Sequence, residues 1–174
     1  MNRIISFLIT LFAMFIFTSC VQDGMSVSSL KKSELKKGYG YIVTRIKSNY
    51  KKEWQYVYYN RVDKSAFQKF IESDSARFIY KGDSSLQIAS APAGEYYWSG
   101  YYLFSKGTSM DKSKRFVVYP NKINYVGDIN IEVLPRRYIF RMDIVNNSFK
   151  AKEELAQKAP KLFRNYTFVT TIKE

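Results

Sequence analysis

The chain contains no histidine and a single cysteine, Cys20. Without imidazole, the commonest general base and the commonest transition-metal ligand are both missing. Acidic side chains are scarce as well: 15 Asp and Glu against 28 Lys and Arg leave a formal net charge of +13. The lysines are spread along the chain rather than gathered in one block, which argues against a nucleic-acid interface. A basic domain held at a membrane is drawn to anionic lipid, lipopolysaccharide or other acidic polymers. The competing reading is a Lys-rich surface kept soluble by its charge. A membrane-spanning run is also lacking: the apolar stretch 4–17 would rise about 21 Å as a helix, short of a hydrocarbon core of about 30 Å.

What is present begins at the N-terminus. Arg3 precedes that apolar stretch and Thr18-Ser19 follow it, the layout of a secretory signal peptide. Thr18-Ser19-Cys20 resembles the lipobox of bacterial lipoproteins, with Phe17 where such boxes usually carry Leu. The resemblance implies cleavage before Cys20 and lipidation of Cys20 by a diacylglyceryl group with a further acyl chain. Two or more chains anchor firmly where one does not. Val21 in place of Asp points, by the sorting rule of such proteins, to the outer rather than the inner membrane, facing the periplasm or the cell surface. A secreted chain with an incidental Cys and a retained anchor are the alternatives. With Cys20 lipidated, the folded part has no thiol for a disulfide, a nucleophile or a metal site.

Removal of residues 1–19 leaves 155, enough for one domain with a modest core. Residues 20–38 read as the lipidated Cys and a polar, Ser- and Lys-rich tether. Its stretch 21–37, fully extended, would reach about 56–61 Å. The domain then spans 39–174. Strand formers recur at 39–47, 53–62, 76–81, 86–90, 95–104, 115–119, 123–134 and 136–145. Polar residues 48–52 predict a hairpin between the first two, Gly82-Asp83-Ser84 a turn, and 105–114 a loop. In 136–145, Tyr138, Phe140, Met142 and Ile144 alternate with Arg137, Arg141 and Asp143, as in a half-buried antiparallel strand.

A short helix is expected at 64–72, where Phe67, Phe70 and Ile71 share a face. A second starts from a cap at Asn147 or Ser148. It would bury Phe149, Leu155, Ala156, Ala159, Leu162 and Phe163, and Pro160 would divide it. Residues 166–172 return as an edge strand or pack as a tail. This pattern predicts a mainly β fold, a single antiparallel β-sandwich with a short inserted helix and a C-terminal helix. Pro92-Ala93-Gly94-Glu95-Tyr96 and Tyr125-Val126-Gly127-Asp128-Ile129, with a basic strand between them, make residues 76–160 similar to uncharacterised bacterial lipoproteins. Those carry one immunoglobulin-like or transthyretin-like β-sandwich. The resemblance implies that fold and an envelope address, and it brings no catalytic residues.

Ser-x-x-Lys occurs at Ser28/Lys31, Ser29/Lys32, Ser33/Lys36 and Ser109/Lys112, the spacing used by penicillin-binding enzymes. Three of these lie in the tether and one in a loop, without Ser-Asp-Asn or Lys-Thr-Gly, so none predicts catalysis. Glu53, Glu95, Asp128 and Glu132 supply carboxylates for a glycosidase, but nothing in the sequence pairs them. Asp128, Asn130 and Glu132 share one face of a strand and offer oxygen ligands to a hard cation such as Ca²⁺. The other reading makes them the solvated side of a strand that buries Ile129, Ile131 and Val133. Aromatic residues make up 17% of the chain, with Tyr58-Tyr59, Tyr96-Tyr97 and Tyr101-Tyr102 as adjacent pairs. In a strand one member of each pair points outward, either under a covering helix or onto a binding face formed by Tyr97, Trp98, Tyr101 and Tyr102.

The chain therefore reads as a non-enzymatic envelope lipoprotein needing no cofactor. It is held at the membrane through Cys20 and presents an aromatic and basic face to a protein or glycan. The alternatives are a hydrolase acting on envelope polymers and a structural or inhibitor-type module.

Overall fold

The computed structural model describes residues 23–29, 34–51, 54–62, 76–81, 85–103, 106–134 and 139–172. Cys20, the expected helix at 64–72 and the turn at 82–84 lie outside these residues. Eleven strands are present among the described residues: β1 (Met25–Ser26), β2 (Tyr39–Ser48), β3 (Gln55–Arg61), β4 (Ala76–Tyr80), β5 (Ser85–Pro92), β6 (Gly94–Leu103), β7 (Lys106–Ser109), β8 (Arg115–Val118), β9 (Lys122–Leu134), β10 (Ile139–Val145) and β11 (Thr167–Thr170). Helices α1 (Ser148–Lys158) and α2 (Pro160–Asn165) precede β11. The first sheet runs β1-β5-β2-β9-β10, with β11 beside the start of β9. The second runs β4-β3-β6-β7, with β8 beside the start of β6. The fold is mainly β, as expected, and forms a β-sandwich.

Alternation of side chains builds two cores. Ile42, Ile46, Val57, Tyr59, Phe78, Trp98, Tyr101, Phe116, Ile129 and Ile131 fill the space between the sheets. On the far side of the first sheet, Tyr41, Val43, Ile88, Ile123 and Tyr125 pack under Ala151 and Leu155 of α1 and Leu162 of α2. β2 is consequently buried on both faces from Gly40 to Ile46. A strand buried on both faces belongs in the middle of a sheet, where β2 lies between β5 and β9. That placement overturns the expected hairpin, because β3 joins the other sheet with β4 and β6.

Two pairings, β2 with β9 and β9 with β11, are parallel, so the first sheet is mixed rather than purely antiparallel. β7 occupies part of the expected loop. Pro160 does divide the C-terminal helix, sitting at its permitted place in the first turn of α2. Phe149, expected on the buried face, is 75% exposed. It precedes Leu155 by six residues, about a third of a turn off that face at roughly 100° per residue.

The supposed tether is the largest departure. Gly24 bridges Phe78 on β4 and its amide donates to the Arg77 carbonyl at 2.8 Å. Met25 and Ser26 then pair with Ile88 and Gln87 on β5, and Val27 is buried. Residues 23–29 thus cross from one sheet edge to the other and close that side of the sandwich. Backbone pairing outweighs the polar composition that suggested a free linker.

β9 carries the local device that shapes the interior. Val43 pairs with Tyr125 but Arg45 pairs with Asp128, so one extra residue bulges from β9. Gly127 takes it up with φ of 98°, a conformation costly for other residues. Thr44 locks the bulge by donating its hydroxyl to the Gly127 carbonyl at 2.7 Å. The extra residue returns Tyr125 and Asp128 to the same face while Val126 and Ile129 both face the inter-sheet core. Gly127→Ala is expected to cost about 2–4 kcal/mol, combining left-handed strain with a clash, because its Cβ would meet Ile144. Urea unfolding checks this; an unchanged midpoint would show that the bulge tolerates a side chain.

Candidate functional site

Helices pack on the far side of the first sheet over Tyr41, Ile123 and Tyr125, and the outward tyrosine row stands on the second. β3 points Val57 and Tyr59 inward, which leaves Tyr56, Tyr58 and Asn60 outward by period-two alternation. On β6 the register is irregular: Tyr58 opposes Gly100, whereas Tyr59 opposes Trp98. Ser99 is the extra residue of that bulge. It reverses the side-chain parity along β6, so Tyr96, Trp98, Tyr101 and Leu103 all point into the core. Tyr97 and Tyr102 then face out. Trp98 and Tyr101, 1% and 0% exposed, are therefore core residues and not part of a binding face. Tyr97 is half-buried and Tyr102 is 43% exposed.

The outward row is ordered. The Tyr58 and Tyr102 rings meet edge-on with centroids 5.1 Å apart, and Tyr56 lies 6.5 Å from Tyr58. The Arg77 guanidinium sits 5.3 Å from the Tyr56 ring centre, in cation–π range. Its pKa is raised by a hydrogen bond to the Tyr58 side chain and by Asp23, whose carboxylate accepts from Arg77 Nε at 3.2 Å. The Tyr102 ring lies over Gly107, where any Cβ would collide with it. Tyr58, Asn60, Ser99, Gly100 and Tyr102 line an open depression of about 400 Å³. Ring faces beside amide and hydroxyl groups suit stacking on an apolar or sugar surface with hydrogen bonds at its rim. Sequence reasoning missed Tyr56 and Arg77. The Tyr56-Val57-Tyr58 alternation was legible, but the place of Arg77 depends on β4 pairing with β3.

The cation-site candidate dissolves. Asp128 was expected on a solvated face and is instead fully buried beneath α1. Its carboxylate accepts from the Tyr125 hydroxyl at 2.7 Å, Arg45 Nη1 at 3.0 Å and Asn147 Nδ2 at 3.0 Å. Arg45 Nη2 also bonds Glu154 on α1. These donors engage both Asp128 oxygens, and the buried Arg45 guanidinium already balances the charge a cation would neutralise. Asn130 and Glu132 do share the Asp128 face, and they line a separate open hollow of about 250 Å³ with Lys47 and Arg141. Asn147 sits at the α1 N-cap position, but its side chain is used on Asp128 rather than on the helix. Among the described residues no cluster of three His, Cys, Asp or Glu could hold a metal ion, and no helix is long and apolar enough to cross a membrane. No protein-family model and no curated protein matches this chain.

Proposed function

We propose that this protein is a non-catalytic lipoprotein of the cell envelope, anchored through Cys20 and binding a protein or glycan on the outer tyrosine face of its second sheet. The observation that carries the reading is the Tyr56, Tyr58 and Tyr102 row beside an open depression. Tyrosines so placed bring large contact area at low entropic cost and are typical binding hot spots. The signal-like N-terminus supports the address, and Val21 supports the outer membrane.

Only residues 21 and 22 separate Cys20 from Asp23, so Gly24 lies within about 14 Å of the anchored residue at about 3.6 Å per residue. Asp23 bonds Arg77 on the tyrosine face. An anchored domain therefore works close to the membrane surface, not at the reach of a long tether.

Capture from detergent-solubilised envelopes tests the reading with the full lipidated chain, a Cys20→Ala form and a Tyr58→Ala, Tyr102→Ala form. The expected result is one partner recovered by the first. The tyrosine variant should lose at least about tenfold of that binding, the scale of two truncated hot spots. Mass spectrometry of the same material should show Cys20 lipidated as the first residue. An unmodified Cys20 sinks the anchor, and equal recovery by the tyrosine variant sinks the face.

A further inference from the structure

We infer that this protein forms a two-fold dimer in which β10 of one copy pairs antiparallel with β10 of a second copy, centred on Met142. β10 ends the first sheet. β9 lies on one side of it, and among the described residues no strand lies on the other. Its pairing with β9 runs from Ile139 to Val145 without a register shift, and its described residues carry neither proline nor lysine. An open edge of seven residues without those blocking features is a template for another strand.

The side chains of β10 suit a copy of itself. Phe140, Met142 and Ile144 are only partly buried against the inter-sheet core, while Arg141, Asp143 and Val145 are exposed. Among the described residues neither Arg141 nor Asp143 joins an ion pair. A two-fold axis normal to the sheet keeps core-facing residues with core-facing ones, so the pairing must be centred on a residue. Centring on Arg141 or on Asp143 sets a charge against its own copy, which is unfavourable. Centring on Phe140 sets Arg141 against Ile139, and centring on Ile144 sets Asp143 against Val145. Only Met142 at the axis places Arg141 opposite Asp143 of the second copy, twice over, and Phe140 opposite Ile144.

Three of the exposed large apolar residues, Leu134, Val145 and Phe149, lie on β10 or next to it in pairing or sequence. That register sets Val145 opposite Ile139 of the second copy, and Ile139 pairs with Leu134 on β9. Leu134 and Val145 are each 40% exposed and Phe149, four residues beyond Val145, is 75% exposed. An axis normal to the first sheet also turns both tyrosine faces to the same side. Two faces so coupled would engage a surface-borne partner together and gain avidity.

Full-length protein with Met142→Cys, oxidised in its own membranes, is the direct test. Directly opposed residues in an antiparallel pair have Cα atoms about 4.5–5.5 Å apart, inside the range a disulfide spans. A covalent dimer is expected from Met142→Cys and not from the unaltered chain with Cys20 alone, nor from Tyr119→Cys, exposed just ahead of the opposite end of β9. In sedimentation of the detergent-solubilised full chain, Arg141→Glu and Asp143→Arg should each weaken dimerisation roughly tenfold, and the double reversal should restore it. A chain that stays monomeric at every concentration overturns the dimer. Dimers indifferent to both reversals, or cross-linked no better by Met142→Cys than by Tyr119→Cys, overturn this interface.

Discussion

Asp128→Ala is expected to lower the unfolding free energy by about 3–5 kcal/mol, the usual cost of removing one partner from a buried charge pair. Arg45, 2% exposed, would keep only its bond to Glu154. The Tyr125 hydroxyl and the Asn147 amide would each lose an acceptor, and a buried donor left unpaired costs about 1–3 kcal/mol. The loss is local in character, because Asn147 at the α1 N-cap and Glu154 within α1 tie the helix to the sheet through this cluster. Removing both charges with Arg45→Met and Asp128→Leu should recover much of the stability, since well-packed apolar residues often replace a buried pair without penalty. Urea unfolding of the three proteins distinguishes the cases. An Asp128→Ala form within about 1 kcal/mol of the parent, the net worth of an ordinary hydrogen bond, would mean that the cluster adds little.

The same cluster sets an acid dependence. Burial raises the Glu154 pKa, but bonds from Lys158 and Arg45 outweigh it and hold the carboxyl below its ordinary value. A folded-state value below the unfolded one stabilises above the ordinary carboxylate range. That contribution is lost as pH falls through the lowered value. Docking of α1 should therefore loosen on acidification before the strands separate, seen as faster amide exchange in residues 148–158.

Alkaline titration should unfold the protein cooperatively between roughly pH 10 and 12. Burial pushes the phenols of Tyr41 and Tyr101 up to about 12, and it raises those of Tyr59, Tyr80 and Tyr125 as well. All five are at most 3% exposed. Gln55 Oε1 accepts from the Tyr80 and Tyr101 hydroxyls at 2.8 and 2.6 Å, an arrangement that requires both phenols protonated.

The sign follows from linkage. Each folded-state value lies above the unfolded value of about 10, so the stabilisation is complete below pH 10 and is lost as pH rises through the folded value. Each such phenol removes up to about 1.4 kcal/mol per pH unit. Five together match a whole domain's stability of about 5–15 kcal/mol within two pH units. The expected record is a steep rise in tyrosinate absorbance coincident with loss of near-ultraviolet circular dichroism. Smooth titration of all 15 tyrosines with the dichroism retained would contradict it.

Legibility in the sequence followed the range of the interactions. Period-two alternation identified β9 and β10 correctly, because Ile129, Ile131 and Val133 are core residues and Phe140, Met142 and Ile144 pack against them. Alternation cannot say which member of an adjacent pair points inward once a bulge intervenes. Ser99 therefore decides that Tyr101 is core and Tyr102 surface. Nor can composition detect that a Ser-rich stretch donates an edge strand, since residues 24–26 pair with strands more than fifty residues away.

The sequence by itself determined the mainly β character, the position of the C-terminal helix and its break at Pro160, because these depend on local pattern and backbone chemistry. Tertiary structure alone decided that residues 23–29 close the sandwich and that Tyr56, Tyr58 and Tyr102 form the outward row of the second sheet. It also decided that Asp128 is a buried counter-ion rather than a solvated ligand. Arg45 lies 83 residues from Asp128, and only the pairing of β2 with β9, offset by one residue at Gly127, brings the two charges together out of water.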